Sequence, residues 1–138
     1  MALAILGILT TIAVPAVTGL NEKWRLEEAA WRLASDLRLA RQVAISTGRY
    51  TQLSFRWEAG DYRLDLNVER STVKLPAGVT YVYNNFPETG GTQKVSFSPI
   101  GAPTRGGTVG LKNKKGSRLY VILAPATGRV RVSPTPPD

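Results

Sequence analysis

The sequence of 138 residues contains no cysteine and no histidine. These two absences exclude disulfides, thiolate nucleophiles, and metal sites or catalytic triads built on imidazole. Acidic side chains are scarce as well, since Lys and Arg number 18 against 10 for Asp and Glu. The catalytic groups that remain are carboxylates, lysines and hydroxyls, and most small hydrolases use more than these. We therefore expect one domain without enzymatic activity, bound metal or cofactor.

The positive charge is concentrated in the C-terminal third of the chain. Residues 1–88 hold ten basic and nine acidic side chains, whereas residues 89–137 hold eight basic side chains and no acidic one. This asymmetry favours a polyanionic partner, either nucleic acid or an anionic membrane surface. A basic surface that only keeps the protein soluble is the alternative.

The chain opens with nineteen uncharged residues, 2–20, which include Pro15. A helix of this length crosses the hydrocarbon core of a bilayer, and Pro15 is expected to kink it because proline removes a backbone donor. The basic region and cleavage site of a secretory signal are not visible. Met1 is the only methionine, and we expect it to be an artificial start on a truncated segment. The run predicts a membrane or filament-core helix, with a buried core helix as the alternative.

Apolar residues continue at helical spacing beyond Leu20 and define one stripe. The stripe consists of Leu26, Ala30, Leu33, Leu37, Ala40 and Ala44. Gly48 follows it and suits a helix C-cap. The pattern predicts one helix of about 45 residues, apolar all round at first and one-sided afterwards. Trp24 and Trp31 share a face of this helix, where packing is favoured over a contact with other subunits.

After Gly48 the apolar period changes to two, which is typical of strands. Turn signals predict a hairpin at 50–68, strands at 79–84 and 95–98, a hairpin at 108–123 with a basic tip, and a last strand at 129–132. The expected fold is α+β: a long N-terminal helix, hydrophobic and then amphipathic, packed on an antiparallel β head of two small sheets.

The expected organisation is a hydrophobic stalk over residues 1–20, a head over 21–132 and a flexible tail over 133–138. The tail contains three prolines, which do not continue a sheet.

The string from Ala4 to Pro15 resembles the N-terminal segment of type IV pilins and type II secretion pseudopilins. By this match the chain starts about seven residues inside the mature helix, without the prepilin-peptidase site. The resemblance implies a single-pass protein of the inner membrane, with its head outside the cytoplasm, that assembles with other pilin subunits through this helix. The residues implied in the membrane or filament core are Ile5, Leu6, Gly7, Ile8, Leu9, Ile12, Val14 and Pro15.

Three further strings resemble one branch of that family, the GspH/FimT-type minor pilins. Leu37–Ile45 is similar to the "LRxARxxAI" helix end, Val95–Gly101 to the "FxxxG" strand and turn, and Gly128–Arg131 to the "GRxR" element. In transformation-linked members the GRxR element is implicated in DNA binding. In secretion-linked members a similar head lies near the tip of a pseudopilus.

The physical case for DNA centres on Arg129 and Arg131. On an extended chain their guanidinium groups leave one face roughly 6–7 Å apart, similar to the spacing of successive phosphates. Gly128 can adopt the positive φ of a turn that starts the strand. The basic hairpin residues extend this surface if the hairpin pairs nearby: Lys112, Lys114, Lys115 and Arg118. Ordinary exposed strand residues are the alternative.

The remaining aromatic and acidic residues are not expected to form a functional site. An aromatic platform for single strands is not evident, although Tyr120 is a weak candidate. Asp61 and Asp65 are expected to be solvated hairpin residues and not a catalytic or calcium pair.

Three hypotheses for the function follow. The first is a minor type IV pilin that assembles into a cell-surface pilus and binds DNA, without sequence preference, for uptake in natural transformation. The second is a type II secretion pseudopilin at the tip of a periplasmic pseudopilus, with no nucleic-acid role. The third is a basic end that docks on anionic lipid headgroups.

Overall fold

The computed structural model describes residues 2–137, and for residues 2–19 it describes the helical backbone alone. A long helix, α1 (Ala2–Thr47), begins the chain, and its side chains are described over the last 28 residues. The strands that follow are β1 (Thr51–Arg56), β2 (Asp61–Asp65), β3 (Arg70–Lys74), β4 (Thr80–Asn84), β5 (Glu88–Thr89), β6 (Thr92–Phe97), β7 (Gly107–Lys112), β8 (Arg118–Leu123) and β9 (Val130–Ser133).

Most of the predicted hydrophobic stalk falls on residues 2–19, whose side chains lie outside the described part of the structure. The residues implied in the membrane or filament core lie outside those whose side chains are described: Ile5, Leu6, Gly7, Ile8, Leu9, Ile12, Val14 and Pro15. Among the residues that are described, no helical stretch has the length and apolar character needed to cross a membrane.

The predicted apolar stripe of α1 is the face that the helix buries. Each of its six residues is at most 3% exposed, and all of them belong to one hydrophobic core with the inner faces of the strands. The helix ends where expected, because Gly48 adopts a φ of +68° and donates its backbone N–H to the carbonyl of Ala44 at 3.0 Å.

The strands form two antiparallel sheets, as predicted. The first has the order β3-β2-β1-β6-β5 and the second the order β4-β7-β8-β9. Alternate residues of paired strands face the core together; Leu53 lies opposite both Leu64 and Val95, and Val121 lies opposite both Val109 and Val132. The core therefore fills the space between α1 and the two sheets.

Strands β3 and β5 are the elements that the sequence pattern does not predict. Strand β3 is an edge strand whose residues are mostly exposed, so it carries no apolar alternation and is held by its backbone ladder to β2. Strand β5 has two residues and lies between the predicted strands at 79–84 and 95–98.

A polar contact fixes the helix on the first sheet. The hydroxyl of Tyr62 on β2 donates to the buried carboxylate of Asp36 on α1, and Arg32 Nε donates to the same carboxylate at 3.2 Å. Burial, together with the Asp36 carboxylate, raises the pKa of Tyr62 well above its ordinary value, so the phenol stays a donor. This contact joins α1 to β2 inside the head.

Candidate functional site

Strand β9 is an edge strand, and its side chains divide between two faces. The ladder runs from Val130 opposite Leu123 to Ser133 opposite Tyr120. Val130 and Val132 pack towards the core, whereas Arg131 is exposed on the opposite face. Because the carbonyl of Arg129 accepts from the N–H of Ala124, ladder alternation turns the backbone groups of Val130 and Val132 away from β8.

The outward carbonyl of Val130 is bound by the helix. Arg38 Nη2 donates to it at 2.9 Å, so a guanidinium group of α1 occupies part of the sheet edge. The contact leaves the other N–H groups of Arg38 available and holds its side chain beside β9.

Arg41 lies between two glycines that both have positive φ. Its Nε donates to the carbonyl of Gly101 at 3.0 Å. A methyl group at Gly128, where φ is +68°, would lie 3.1 Å from Arg41 Nε. At Gly101, where φ is +84°, a methyl group would lie 3.2 Å from the same nitrogen and 2.8 Å from Ile45 Cδ1. Glycine fits both places because it is free of side-chain clash and of left-handed strain.

The three strings that resemble GspH/FimT-type minor pilins therefore meet at one point. The helix end supplies Arg38 and Arg41, the turn after β6 supplies Gly101, and the start of β9 supplies Gly128. These residues are far apart in sequence, since Arg38 and its acceptor Val130 are separated by 92 positions. Their local role is to attach the C-terminal strand to the helix.

An open groove of about 650 Å³ runs between α1 and the start of β9. Its helix wall consists of Trp31, Arg38, Arg41 and Gln42, and its strand wall consists of residues 127–132. Four arginines line it, and no described carboxylate does. We name this feature the arginine groove.

The arginines of the groove are not neutralised by ion pairs within residues 2–137. The salt bridges found there join Arg32 to Asp36, Arg56 to Asp61 and Arg70 to Asp65. Arg129 and Arg131 are both exposed. An anion with several charges would therefore meet guanidinium groups that line one groove and have no carboxylate partner among the described residues.

The acidic residues of the β1–β2 hairpin have partners elsewhere. The hydrogen bond from Arg56 holds the pKa of the nearly buried Asp61 below its ordinary value, although burial acts in the opposite direction. Asp65 pairs with the highly exposed Arg70. Neither carboxylate faces the arginine groove.

The structure brings Gly128, Arg129 and Arg131 together but leaves the basic hairpin tip apart from them. Lys112 lies opposite Arg118 at one end of β8, and Val130 lies opposite Leu123 at the other end. Five residue steps along β8 separate those ends by about 17 Å.

The tip has its own fixed geometry. Asn113 accepts the backbone N–H groups of Lys115 and Ser117, and the stem of Lys114 lies over Gly78. Lys112, Lys114, Lys115 and Arg118 thus form a second basic region, not an extension of the arginine groove.

The helix wall of the groove was not predicted from the sequence. Trp31, Arg38 and Gln42 lie on one helix face, but only the fold shows that β9 runs beside that face. The aromatic candidate Tyr120 is 8% exposed, with its ring over the backbone of Gly110, so it offers no open platform. Trp31 is 53% exposed and lines the groove.

The head is similar to solved structures of two proteins. The type IV minor pilin FimU of Pseudomonas aeruginosa matches with a TM-score of 0.63 and 15% identity, over 83% of this chain and 92% of that one. The minor pseudopilin EpsH from the type 2 secretion system of Vibrio cholerae matches with a TM-score of 0.63 and 14% identity, over 79% of this chain and 96% of that one. At these identities the likeness shows the fold.

A search of curated proteins finds no significant match. The sequence profile of the family described as type II transport protein GspH, in contrast, matches residues 29–133. This range runs from the packed part of α1 to the end of β9 and contains every element of the arginine groove. The chain belongs to the GspH family and is a minor pilin or pseudopilin.

Proposed function

We propose that this protein is a minor pilin of a type IV pilus and that its arginine groove binds DNA for uptake in natural transformation. The observation that carries the proposal is the set of four arginines around one groove that no described carboxylate lines. A polyanion is the ligand class that such a groove attracts.

The groove is suited to the DNA backbone and not to a base sequence. Arg38 and Arg41 each use one N–H on a backbone carbonyl, which orients the remaining N–H groups before any ligand arrives. Arg129 and Arg131 add two exposed guanidinium groups on the strand wall. Phosphate contacts of this kind fix position and carry no sequence information, so we expect affinity without sequence preference.

The proposal predicts how steeply the affinity for DNA falls as the salt concentration rises. If four phosphates are neutralised, the logarithm of the binding constant falls with the logarithm of salt concentration at a slope of about −3.6 for duplex DNA. Removal of two contacts reduces the slope to about −1.8. A protein that binds DNA only through its net charge shows no such dependence on which two arginines are removed.

The proposal includes the setting in which the groove acts. The subunit lies in the inner membrane before assembly, with its head outside the cytoplasm, and then joins other pilin subunits through its N-terminal helix in a cell-surface pilus. The groove is formed by the C-terminal half of α1 and the last strand. It is therefore separate from the hydrophobic start of the helix, through which the subunits associate.

The test is a salt titration of duplex DNA binding by the full chain in a nonionic detergent, measured by fluorescence anisotropy. The variant is Arg129→Ala with Arg131→Ala. The matched control is Arg63→Ala with Arg105→Ala, which removes two exposed charges outside the groove. We expect the first pair to lose affinity and slope and the control to stay near the wild type. Equal losses in both variants, or no binding by the wild type near physiological salt, would refute the proposal.

A second candidate is a type II secretion pseudopilin without a nucleic-acid role. The matching family is described as a type II transport protein, and this description favours the candidate. It predicts that the wild type binds no DNA at physiological salt and that deletion of the gene abolishes protein secretion while transformation continues. Neighbouring genes for secretion components instead of pilus and competence components would support it.

A further inference from the structure

We infer that the arginine groove takes single-stranded DNA, with a nucleobase stacked on the indole of Trp31. The inference rests on the proposed DNA binding and names the form of DNA that the groove accepts. Trp31 stands on the helix wall of the groove and is 53% exposed. In the part of the chain with described side chains, the aromatic ring pairs are Phe55 with Tyr81, Phe55 with Phe86, and Trp57 with Tyr81. The face of the Trp31 indole has no partner among them.

The two walls of the groove offer different chemistry to the two parts of a nucleotide. The strand wall presents Arg129 and Arg131, together with the backbone N–H groups of Val130 and Val132 that point away from β8. Guanidinium groups and backbone N–H groups are donors for phosphate. The helix wall presents an aromatic face at Trp31 and an amide at Gln42, which suit a base. A strand whose backbone follows β9 therefore directs its bases towards α1.

The spacing along the helix fits more than one nucleotide. Trp31 and Arg38 are seven residues apart, about 10.5 Å along the helix axis and on one face. The bases of a duplex are already stacked on one another and paired, so an indole at the side of a duplex has no base face to contact. In a single strand the bases are available, and stacking on an aromatic side chain tolerates any sequence. Aromatic and basic groups in one groove thus favour the single strand.

The other two tryptophans of the chain show what is particular about Trp31. Trp24 is 59% exposed on the same helix but does not line the groove. Trp57 is also exposed, yet one face of its indole stacks on Tyr81 at 5.7 Å between ring centroids. The pocket beside Trp57 is lined by Glu58 and Glu88, whose carboxylates repel phosphate. Trp31 alone combines an open indole with a set of arginines.

The test compares a fluorescein-labelled oligothymidylate of 20 nucleotides with a duplex of the same length, on the full chain in nonionic detergent. The variant Trp31→Leu removes the aromatic face, Trp31→Phe retains a smaller one, and Trp24→Leu is the matched control. We expect Trp31→Leu to weaken oligothymidylate binding roughly tenfold and duplex binding less than twofold. Trp31→Phe is expected to fall between wild type and Trp31→Leu, and Trp24→Leu to match the wild type. Thermal melting of each variant shows that the head is intact.

The outcomes separate this inference from the proposal beneath it. If Arg129→Ala with Arg131→Ala weakens binding of both DNA forms but Trp31→Leu changes neither, DNA binding stands and stacking is overturned. An equal loss on both DNA forms in Trp31→Leu also overturns stacking. If neither the arginine pair nor Trp31 affects either DNA form, the proposed function itself falls. Loss of assembly with other subunits in Trp31→Leu, with unchanged DNA binding, would assign the indole to a protein contact.

Discussion

Replacement of Gly128 by alanine tests whether the packing of Arg41 between Gly101 and Gly128 contributes to stability. Alanine at a φ of +68° costs about 1 kcal/mol because its Cβ crowds the backbone in the left-handed region. The new methyl group would also lie 3.1 Å from Arg41 Nε and 3.3 Å from Arg41 Cδ and the Gly101 carbonyl oxygen. Arg41 must then shift by a few tenths of an ångström, which strains its hydrogen bond to that carbonyl and adds about 1–2 kcal/mol for a partly exposed charged donor.

The expected total for Gly128→Ala is a loss of about 2–3 kcal/mol in the free energy of unfolding. Gly48→Ala is the matched control, because Gly48 has the same φ of +68° and nothing within 4 Å of a methyl group placed on it. The control is expected to lose about 1 kcal/mol. For a domain of this size each kcal/mol lowers Tm by about 4 °C, so thermal melting in detergent gives drops of about 8–12 °C and about 4 °C.

A double-mutant cycle with Arg41→Ala isolates the steric part. In the Arg41→Ala background the methyl group at position 128 has no side chain to displace, so Gly128→Ala is expected to cost only the backbone strain, about 1 kcal/mol. Equal Tm losses for Gly128→Ala and Gly48→Ala would refute the reasoning. A coupling below about 0.5 kcal/mol between positions 41 and 128 would refute it too.

Three further predictions concern other contacts. The lowered pKa of Asp61 adds stability to the folded protein above the unfolded-state pKa of this group, and that stability disappears as the pH falls through the folded-state pKa. The variant Asp61→Asn is therefore expected to be destabilised most at neutral pH and to match the stability of the wild type in acid. Urea denaturation from pH 7 to pH 2 measures this, and a constant difference across the range would contradict it. Tyr62→Phe leaves the buried Asp36 without its phenol donor and should lower the free energy of unfolding by about 1–3 kcal/mol in the same assay. A loss below about 0.5 kcal/mol would contradict this prediction. The double variant Lys114→Ala with Lys115→Ala should lose less affinity for duplex DNA than Arg129→Ala with Arg131→Ala, because the tip lies at the far end of β8. An equal or larger loss would place the main DNA contact at the tip.

The fold could be predicted where burial imposes a period on the sequence. The stripe of α1 repeats every three or four residues because one helix face meets the core, and β1 alternates because one face of its sheet does. Strand β3 has no such period, since its side chains are mostly exposed at a sheet edge. Its place is determined by backbone hydrogen bonds to β2, which do not depend on the identity of the side chains.

Half of the candidate site was predictable from local spacing. The i, i+2 arrangement of Arg129 and Arg131 on one strand needs only the geometry of an extended chain. The opposite wall was not predictable, because the contact of Arg38 with Val130 joins segments 92 residues apart. The separation of the lysine tip does follow from chain order: β8 runs away from the tip, and a tight turn starts β9 at the far end.

The attachment of α1 to β9 has a consequence for how the protein is synthesised. The helix is made before β9, so Arg38 is synthesised 92 residues before its acceptor at Val130, and the glycine beside Arg41 at position 128 is also made after the helix. Neither contact can form until β9 has left the ribosome. A prematurely terminated chain still carries the helix but lacks the strand that completes the head. The arginine groove therefore forms only in a chain that has been synthesised through β9.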